Sequence, residues 1–249
     1  MPGVRQPPEQ DIRIAGKTEE KTTMRKRSKR YNTDAEKINR DPVGVDEAVT
    51  TLKKLGSTKF DQTVEVIMHL GIDPKQADQM IRGSISLPKG IGKSKRVIAF
   101  CEGEIADQAR EAGATEVGSD DLVKRIQDGW TDFDVAVAHP SQMGKVGKLG
   151  RVLGPSGKMP SPKSGTVTPD VVTAVKEFGA GKIEYRNDDG GNIHAGVGKM
   201  SFSDDDLKEN IEAFIGYIRK IKPTASKGQY IKRVTLKGTM TPPVAVAVG

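Results

Sequence analysis

The spacing of apolar residues changes period along this chain and then changes back, which limits the fold more than any single motif does. Over residues 46–55, Ala48, Val49, Leu52 and Leu55 share one helical face, and Gly56 stands where a C-terminal cap belongs. Residues 60–70 alternate instead, with Phe60, Val64, Val66, Met68 and Leu70 on one side of a predicted strand. From residue 97 short strands and helices take turns. Strands are predicted at 97–100, 114–117 and 133–138, with helices at 104–112 and after Ser119, an N-cap ahead of Leu122, Val123 and Ile126. Such a rhythm predicts a small parallel or mixed sheet with helices on its faces. Residues 89–96 and 143–165, rich in Gly, Pro and Lys, border it.

After Pro162 the first rhythm returns. Thr168 is placed to cap a helix with Pro169 at its first position, Val171, Val172, Val175 and Phe178 inward, and Gly179 at its end. Residues 183–186 and 192–197 read as a hairpin around 187–191. Ser203 caps the most regular helix, with Leu207, Ile211, Phe214, Ile215, Ile218 and Ile221 at helical spacing, and residues 230–240 make a last strand. The expected fold is therefore α/β and α+β in two domains. Residues 33–89 and 183–249 form an α+β domain from both chain ends, and residues 90–182 an inserted Rossmann-like α/β domain. Residues 1–32, with Lys21, Arg25, Lys26, Arg27, Lys29 and Arg30 in an acid-free run, read as a disordered basic extension.

Several function classes have no support in the sequence. Apolar runs such as 135–138 and 244–248 are far shorter than the roughly 20 residues needed to span a bilayer, so no membrane partner is expected. The N-terminus lacks the apolar core of a secretory signal, which leaves a reducing, cytoplasmic location as the expectation. One cysteine, Cys101, excludes an internal disulfide and reads as a buried structural thiol. His69, His139 and His194 lie far apart, without metal-ligand spacing, so no metal site is expected.

Gly90-Ile91-Gly92-Lys93-Ser94 imitates the end of a phosphate-binding loop. However, Leu87 occupies the position of its first glycine, and the run precedes a strand rather than following one. Cys101-Glu102-Gly103-Glu104 lacks a dinucleotide fingerprint, and its acids would repel a pyrophosphate; no cofactor is expected. Asp204, Asp205 and Asp206 sit in the first turn of a helix, where they complement its dipole. Asp188 and Asp189 suit a turn. No nucleophile has an identifiable base, so no catalytic residues are assigned.

Charge is the informative signal. Of the 249 residues, 40 are Lys or Arg against 33 Asp or Glu, a net +7 that favours a polyanionic partner. Residues 135–169 contain no acid but carry Lys145, Lys148, Arg151, Lys158 and Lys163 among glycines. Everything after Glu212 is also acid-free, with Arg219, Lys220, Lys222, Lys227, Lys232, Arg233 and Lys237. Bare backbone and cationic side chains together suit phosphate chains. Aromatic residues make up only 4% of the sequence, which argues against base stacking on a sheet and for recognition of a folded RNA by shape and 2′-hydroxyls. Phe60 is the exception, heading a strand after Lys59 and before Thr63 and Glu65; its alternative role is simply that of a core residue.

Longer motifs then agree with one family. Residues 59–66 (Lys59-Phe60-Asp61-Gln62-Thr63-Val64-Glu65-Val66), Gly71-Ile72-Asp73-Pro74, the run from Arg82 to Lys93 and the run from Leu149 to Pro155 are among them. With the run from Gly181 to Asp188, Val197-Gly198-Lys199 and Thr239-Met240, the chain from about residue 45 to 240 resembles the ribosomal protein L1 family of the large subunit, in its bacterial form. The resemblance implies a non-enzymatic RNA-binding protein. Its partners would be the ribosomal RNA stalk near the tRNA exit site, exit-site tRNA whose release it assists, and the messenger of its own operon, which it represses. Away from the ribosome it would be monomeric. The family's RNA contacts carry over to Lys59, Phe60, Thr63 and Glu65, to Arg186, Asn187 and Lys199, and to Thr239 and Met240. Thr241-Pro242 stands where the family has Gly-Pro, so a branched side chain occupies a position expected to favour glycine at the edge of that patch.

Overall fold

The computed structural model describes residues 27–39, 41–55 and 58–247, and among them the fold is mixed α/β with three separate sheets. Most of the expected disordered extension, residues 1–26, lies outside the described residues, as does the expected cap Gly56. Residues 27–32 do not extend it: helix α1 runs Lys29–Glu36, its N-cap Ser28 accepting from the Tyr31 N–H at 3.3 Å. Helix α2, Val45–Lys54, buries Ala48, Val49 and Leu52, the predicted face.

Strand β1, Thr63–Leu70, is central in a four-stranded antiparallel sheet. Its partners are β7 (Asn192–Lys199) and β8 (Ile231–Gly238), and β9 (Val244–Val246) extends the sheet beyond β8. Val64, Val66, Met68 and Leu70 are buried as the alternation predicts. Phe60 is not: it precedes the strand and is 52% exposed, which removes it from the apolar face and rules out the core alternative. Strand β2 (Arg82–Ile85) pairs with β6 (Ile183–Arg186) in a ribbon of its own.

Residues 183–197 consequently form no regular hairpin. β6 pairs with β2, β7 pairs with β1, and only one bridge, Asn187 to Ile193, joins the two segments. The connecting turn is closed by Asp188, whose Oδ1 accepts from Gly190 N at 2.9 Å and Asn192 N at 2.7 Å. Gly191 there takes φ +74°, which glycine adopts without strain.

The third sheet is parallel, in the order β4-β3-β5, from Glu116–Gly118, Val97–Phe100 and Val135–Ala138. Helices α3 (Glu104–Glu111), α4 (Asp120–Gln127) and α7 (Val171–Gly179) cover its faces. Two expected caps change. Asp170, not Thr168, caps α7, accepting from Thr173 N at 3.1 Å, so Pro169 lies before the helix. Ser119 holds the N-cap position of α4 without a capping bond; its hydroxyl donates instead to Gln142 at 2.9 Å. Residues 143–165 are no mere border either. Two short helices, α5 (Met143–Val146) and α6 (Gly150–Leu153), with the turn Gly147–Leu149 between them, place fully buried Val146, Leu149 and Leu153 in the core on one face of this sheet.

One core joins residues from both chain ends, including Leu52, Val66, Ile193, Phe214 and Leu236. Helix α8, Asp204–Lys220, lays Leu207, Ile211, Phe214, Ile215 and Ile218 into it, with Ser203 Oγ accepting from Asp206 N at 3.1 Å. Fully buried Asn210 on α8 ties down the chain where it leaves this core. Its Nδ2 donates to Gly90 O at 2.9 Å and Val197 O at 2.8 Å, and its Oδ1 accepts from Lys89 N at 3.1 Å. Beside that segment runs the returning one, where Lys95 Nζ donates to Lys182 O at 2.7 Å. Cys101 is buried, as expected.

Candidate nucleic-acid interface

A bulge in β7 builds the centre of the candidate surface. Val64 pairs with Gly198 but Glu65 pairs with Gly196, so an extra residue shifts the alternation between them. Without it Lys199 would share the inward face of Ile193, Ala195 and Val197; with it, Lys199 stands opposite Thr63. Lys199 Nζ donates to Thr63 Oγ1 at 2.9 Å, which leaves the threonine's own hydroxyl hydrogen free to donate outward.

The loop after β8 closes on the same end of the sheet. Thr239 Oγ1 accepts from Thr63 N at 3.2 Å, and Thr239 N donates to Thr63 O at 3.1 Å. Buried Gln62 locks the loop from beneath: its Oε1 accepts from Met240 N at 2.8 Å, and its backbone carbonyl accepts from Met200 N at 2.9 Å. A Cβ at Gly238 would come within 3.0 Å of Thr241 Oγ1 and 3.3 Å of Gln62 Oε1, so a larger residue there would press on both side chains. Next to Gln62, Asp61 accepts from Ser201 Oγ at 2.8 Å.

This scaffold leaves two large apolar side chains in solvent, Phe60 at 52% and Met240 at 51% exposure. Lys59 is exposed beside Phe60, and Glu65 faces Lys237 across the strands with 3.8 Å between charged atoms. Hydroxyls, a lysine and two exposed apolar groups thus gather at one sheet end. Such a set can hydrogen-bond a sugar edge while shielding those bonds from water.

Thr241 belongs to the loop's interior. It is buried, and its Oγ1 accepts from Gly238 N at 2.8 Å. No described non-glycine residue has a positive φ, so this position makes no demand for glycine, contrary to expectation. Threonine at 241 instead caps the turn.

Arg186 and Asn187 are not brought to this end. Asn187 bridges to Ile193, whose β1 partner is Met68, five strand positions from Thr63, or about 17 Å along the strand. Asn187 is buried, its Oδ1 accepting from Ile81 N at 2.8 Å, so its side chain holds the turn rather than facing outward. Arg186 is exposed and stands directly opposite Arg82 in the ribbon. Like charges so placed repel, and the half-buried Glu184 offsets them near Arg82. Burial pushes the Glu184 carboxyl above the usual range despite Arg82 and Lys95.

Sequence reasoning missed Gln62, Asn210 and α1, which leave no periodic signature. Among the described residues no group of three or more His, Cys, Asp or Glu side chains is placed to hold a metal ion, and no helix is long and apolar enough to cross a membrane. The family description that matches, over residues 52–242, is the ribosomal protein L1p/L10e family. The chain belongs to this family. It is a family of structural proteins, not of enzymes. A relative from Rhodopirellula baltica, a large ribosomal subunit protein uL1, is 59% identical over 224 residues, covering 90% of this chain and 100% of the relative. Proteins of the same name from Thermobifida fusca and Cutibacterium acnes are 53% and 51% identical over 222 residues, each covering 89% of this chain. These two matches extend over 94% and 96% of the respective relatives.

Proposed function

We propose that this protein is a cytoplasmic component of the large ribosomal subunit, binding the ribosomal RNA of the mobile stalk near the tRNA exit site. Its contact surface is the sheet end bearing Lys59, Phe60, Thr63, Glu65, Lys199, Thr239 and Met240. Asn187 and Thr241 shape the turns around it, and Arg186 adds a separate positive point. The reading includes help in releasing deacylated tRNA, repression of its own operon messenger through a similar RNA element, and a monomeric state away from the ribosome. Residues 33–89 with 183–249 act as the RNA-binding domain, with 90–182 as an inserted Rossmann-like domain that takes no nucleotide.

The observation that carries this reading is the pairing of exposed Phe60 and Met240 around the Thr63–Thr239–Lys199 hydrogen bonds. Exposed apolar groups beside committed polar ones are costly in isolation and suit a surface that becomes covered. The test is a salt series of binding to a large-subunit stalk hairpin, beside the Thr239→Ala, Met240→Ala double variant. The expected result is tight binding that the double variant weakens at every salt concentration. Binding that ignores the substitutions and collapses with salt would mean that net charge alone is at work, as in a nonspecific nucleic-acid chaperone.

A further inference from the structure

The N-terminal helix lies against the same loop that presents Met240. Arg30 Nη2 donates to Met240 O at 3.1 Å, across 210 residues of sequence. Between helix and loop runs a groove of about 510 Å³, with Arg27, Arg30 and Tyr31 on one side and Lys237, Met240 and Pro243 on the other. No acid lines it. Arg27 lies over the Tyr31 ring, 4.9 Å from its centroid, which orients a planar cation at the mouth. Lys237 is partly balanced by Glu65 at 3.8 Å, so Arg27 and Arg30 supply the net positive charge. Helix α1 has no acid in its first turn, and the positive end of its dipole adds to the same field.

We propose that this groove seats the phosphodiester backbone of the RNA strand that leaves the Thr63–Thr239 surface, with Arg27 and Arg30 as its counter-charges. The proposal rests on the RNA-binding reading above and extends that surface onto α1. Arginine suits the role because its planar fork can bond one phosphate through two N–H groups. Arg30 would then do two things, fixing the Met240 loop through one nitrogen and meeting phosphate through the others.

The test uses the full chain and a large-subunit stalk hairpin RNA at several salt concentrations. Arg27→Gln and Arg30→Gln are each expected to weaken binding about threefold to tenfold at low salt and to lower the slope of log affinity against log salt by about 1. Arg30→Lys, which keeps the charge, is expected to retain the wild-type slope. Among the described residues Arg27 makes no bond to the loop and touches only the Tyr31 ring, so Arg27→Gln should leave the Met240 loop in place and lower the unfolding temperature less than Arg30→Gln does. Wild-type affinity and slope in both glutamine variants would overturn the groove while leaving the RNA reading intact. A wild-type chain that binds the hairpin no better than an unrelated duplex would overturn the RNA reading, and the groove with it.

Discussion

Two places in this protein gather polar side chains at the ends of strands, and they treat charge in opposite ways. At the carboxyl ends of the parallel strands, Lys145 lies 2.9 Å from Glu102, from Asp120 and from Ser119. Ser119 and Lys145 hold the Glu102 carboxyl down to about 2. This is where open α/β sheets usually bind ligands, yet the chain has filled the position with its own ion cluster. At the Thr63 end of the antiparallel sheet the hydroxyls and Lys199 are tied together, but Phe60 and Met240 remain in water and no described acid lines the adjoining groove. A strand end whose charged groups are bonded to one another has little left to recognise with. One that stays cationic and partly apolar still has free energy to gain from a partner.

The largest expected effect separates the two regions directly. The Thr239→Ala, Met240→Ala double variant removes a hydroxyl and an apolar shield from the proposed interface, and stalk RNA affinity is expected to fall about a hundredfold, near 2.7 kcal/mol. Lys145→Ala is expected to leave that affinity unchanged. Equal losses in both variants, measured by filter binding, would erase the contrast.

Gln62→Ala removes the buried acceptor of the Met240 N–H and is expected to cost about 1–3 kcal/mol in denaturant unfolding. Its RNA binding should weaken as well, because the loop loses its support. A smaller gain is expected from Tyr230→Phe. The Tyr230 hydroxyl is buried without a partner among the described residues, and burial pushes its ionisation up to about 12. Removing it should stabilise the fold by about 1 kcal/mol, read as a higher urea midpoint.

The smallest effect concerns Lys145 and pH. The folded Glu102 carboxyl titrates below its ordinary value, so its contribution to stability is present above about 4.5 and is lost as pH falls through about 2. The gap between wild type and Lys145→Ala should therefore be widest near neutrality and close in strong acid. An unfolding gap that stays constant down to pH 2 would show that the cluster is not electrostatic in origin.

Periodic features were legible in advance because burial imposes them on the chain. The alternation of Val64, Val66, Met68 and Leu70 and the helical spacing of Leu207, Ile211, Phe214 and Ile218 match the observed core residue by residue. The strand at 97–100 has the predicted bounds for the same reason. Capping was less legible, because Ser119, Thr168 and Asp170 all have suitable oxygens and only the path of the chain selects among them. Residues 183–197 looked like a hairpin because a turn sequence separates two strands. Nothing local says that each strand has a better partner elsewhere.

For the candidate interface, the inventory is written in the chain itself: the acid-free stretches, the Lys59–Phe60–Thr63–Glu65 segment and the Thr239–Met240 pair. Composition and local pattern are properties of the chain, and folding does not change them. Which members meet depends on how the strands pair. A single extra residue in β7 turns Lys199 toward Thr63, and Gln62 and Thr241 fold the loop so that Met240 points out. The turn of β6 into a different sheet keeps Arg186 in the β2-β6 ribbon and leaves Asn187 beside Ile193, whose β1 partner lies about 17 Å along the strand from Thr63. Helix α1, polar and short, is expected to depend on its contacts with that loop for its place. Strand register and long-range hydrogen bonds set these positions, and both join residues more than a hundred apart in sequence, where no local pattern reaches.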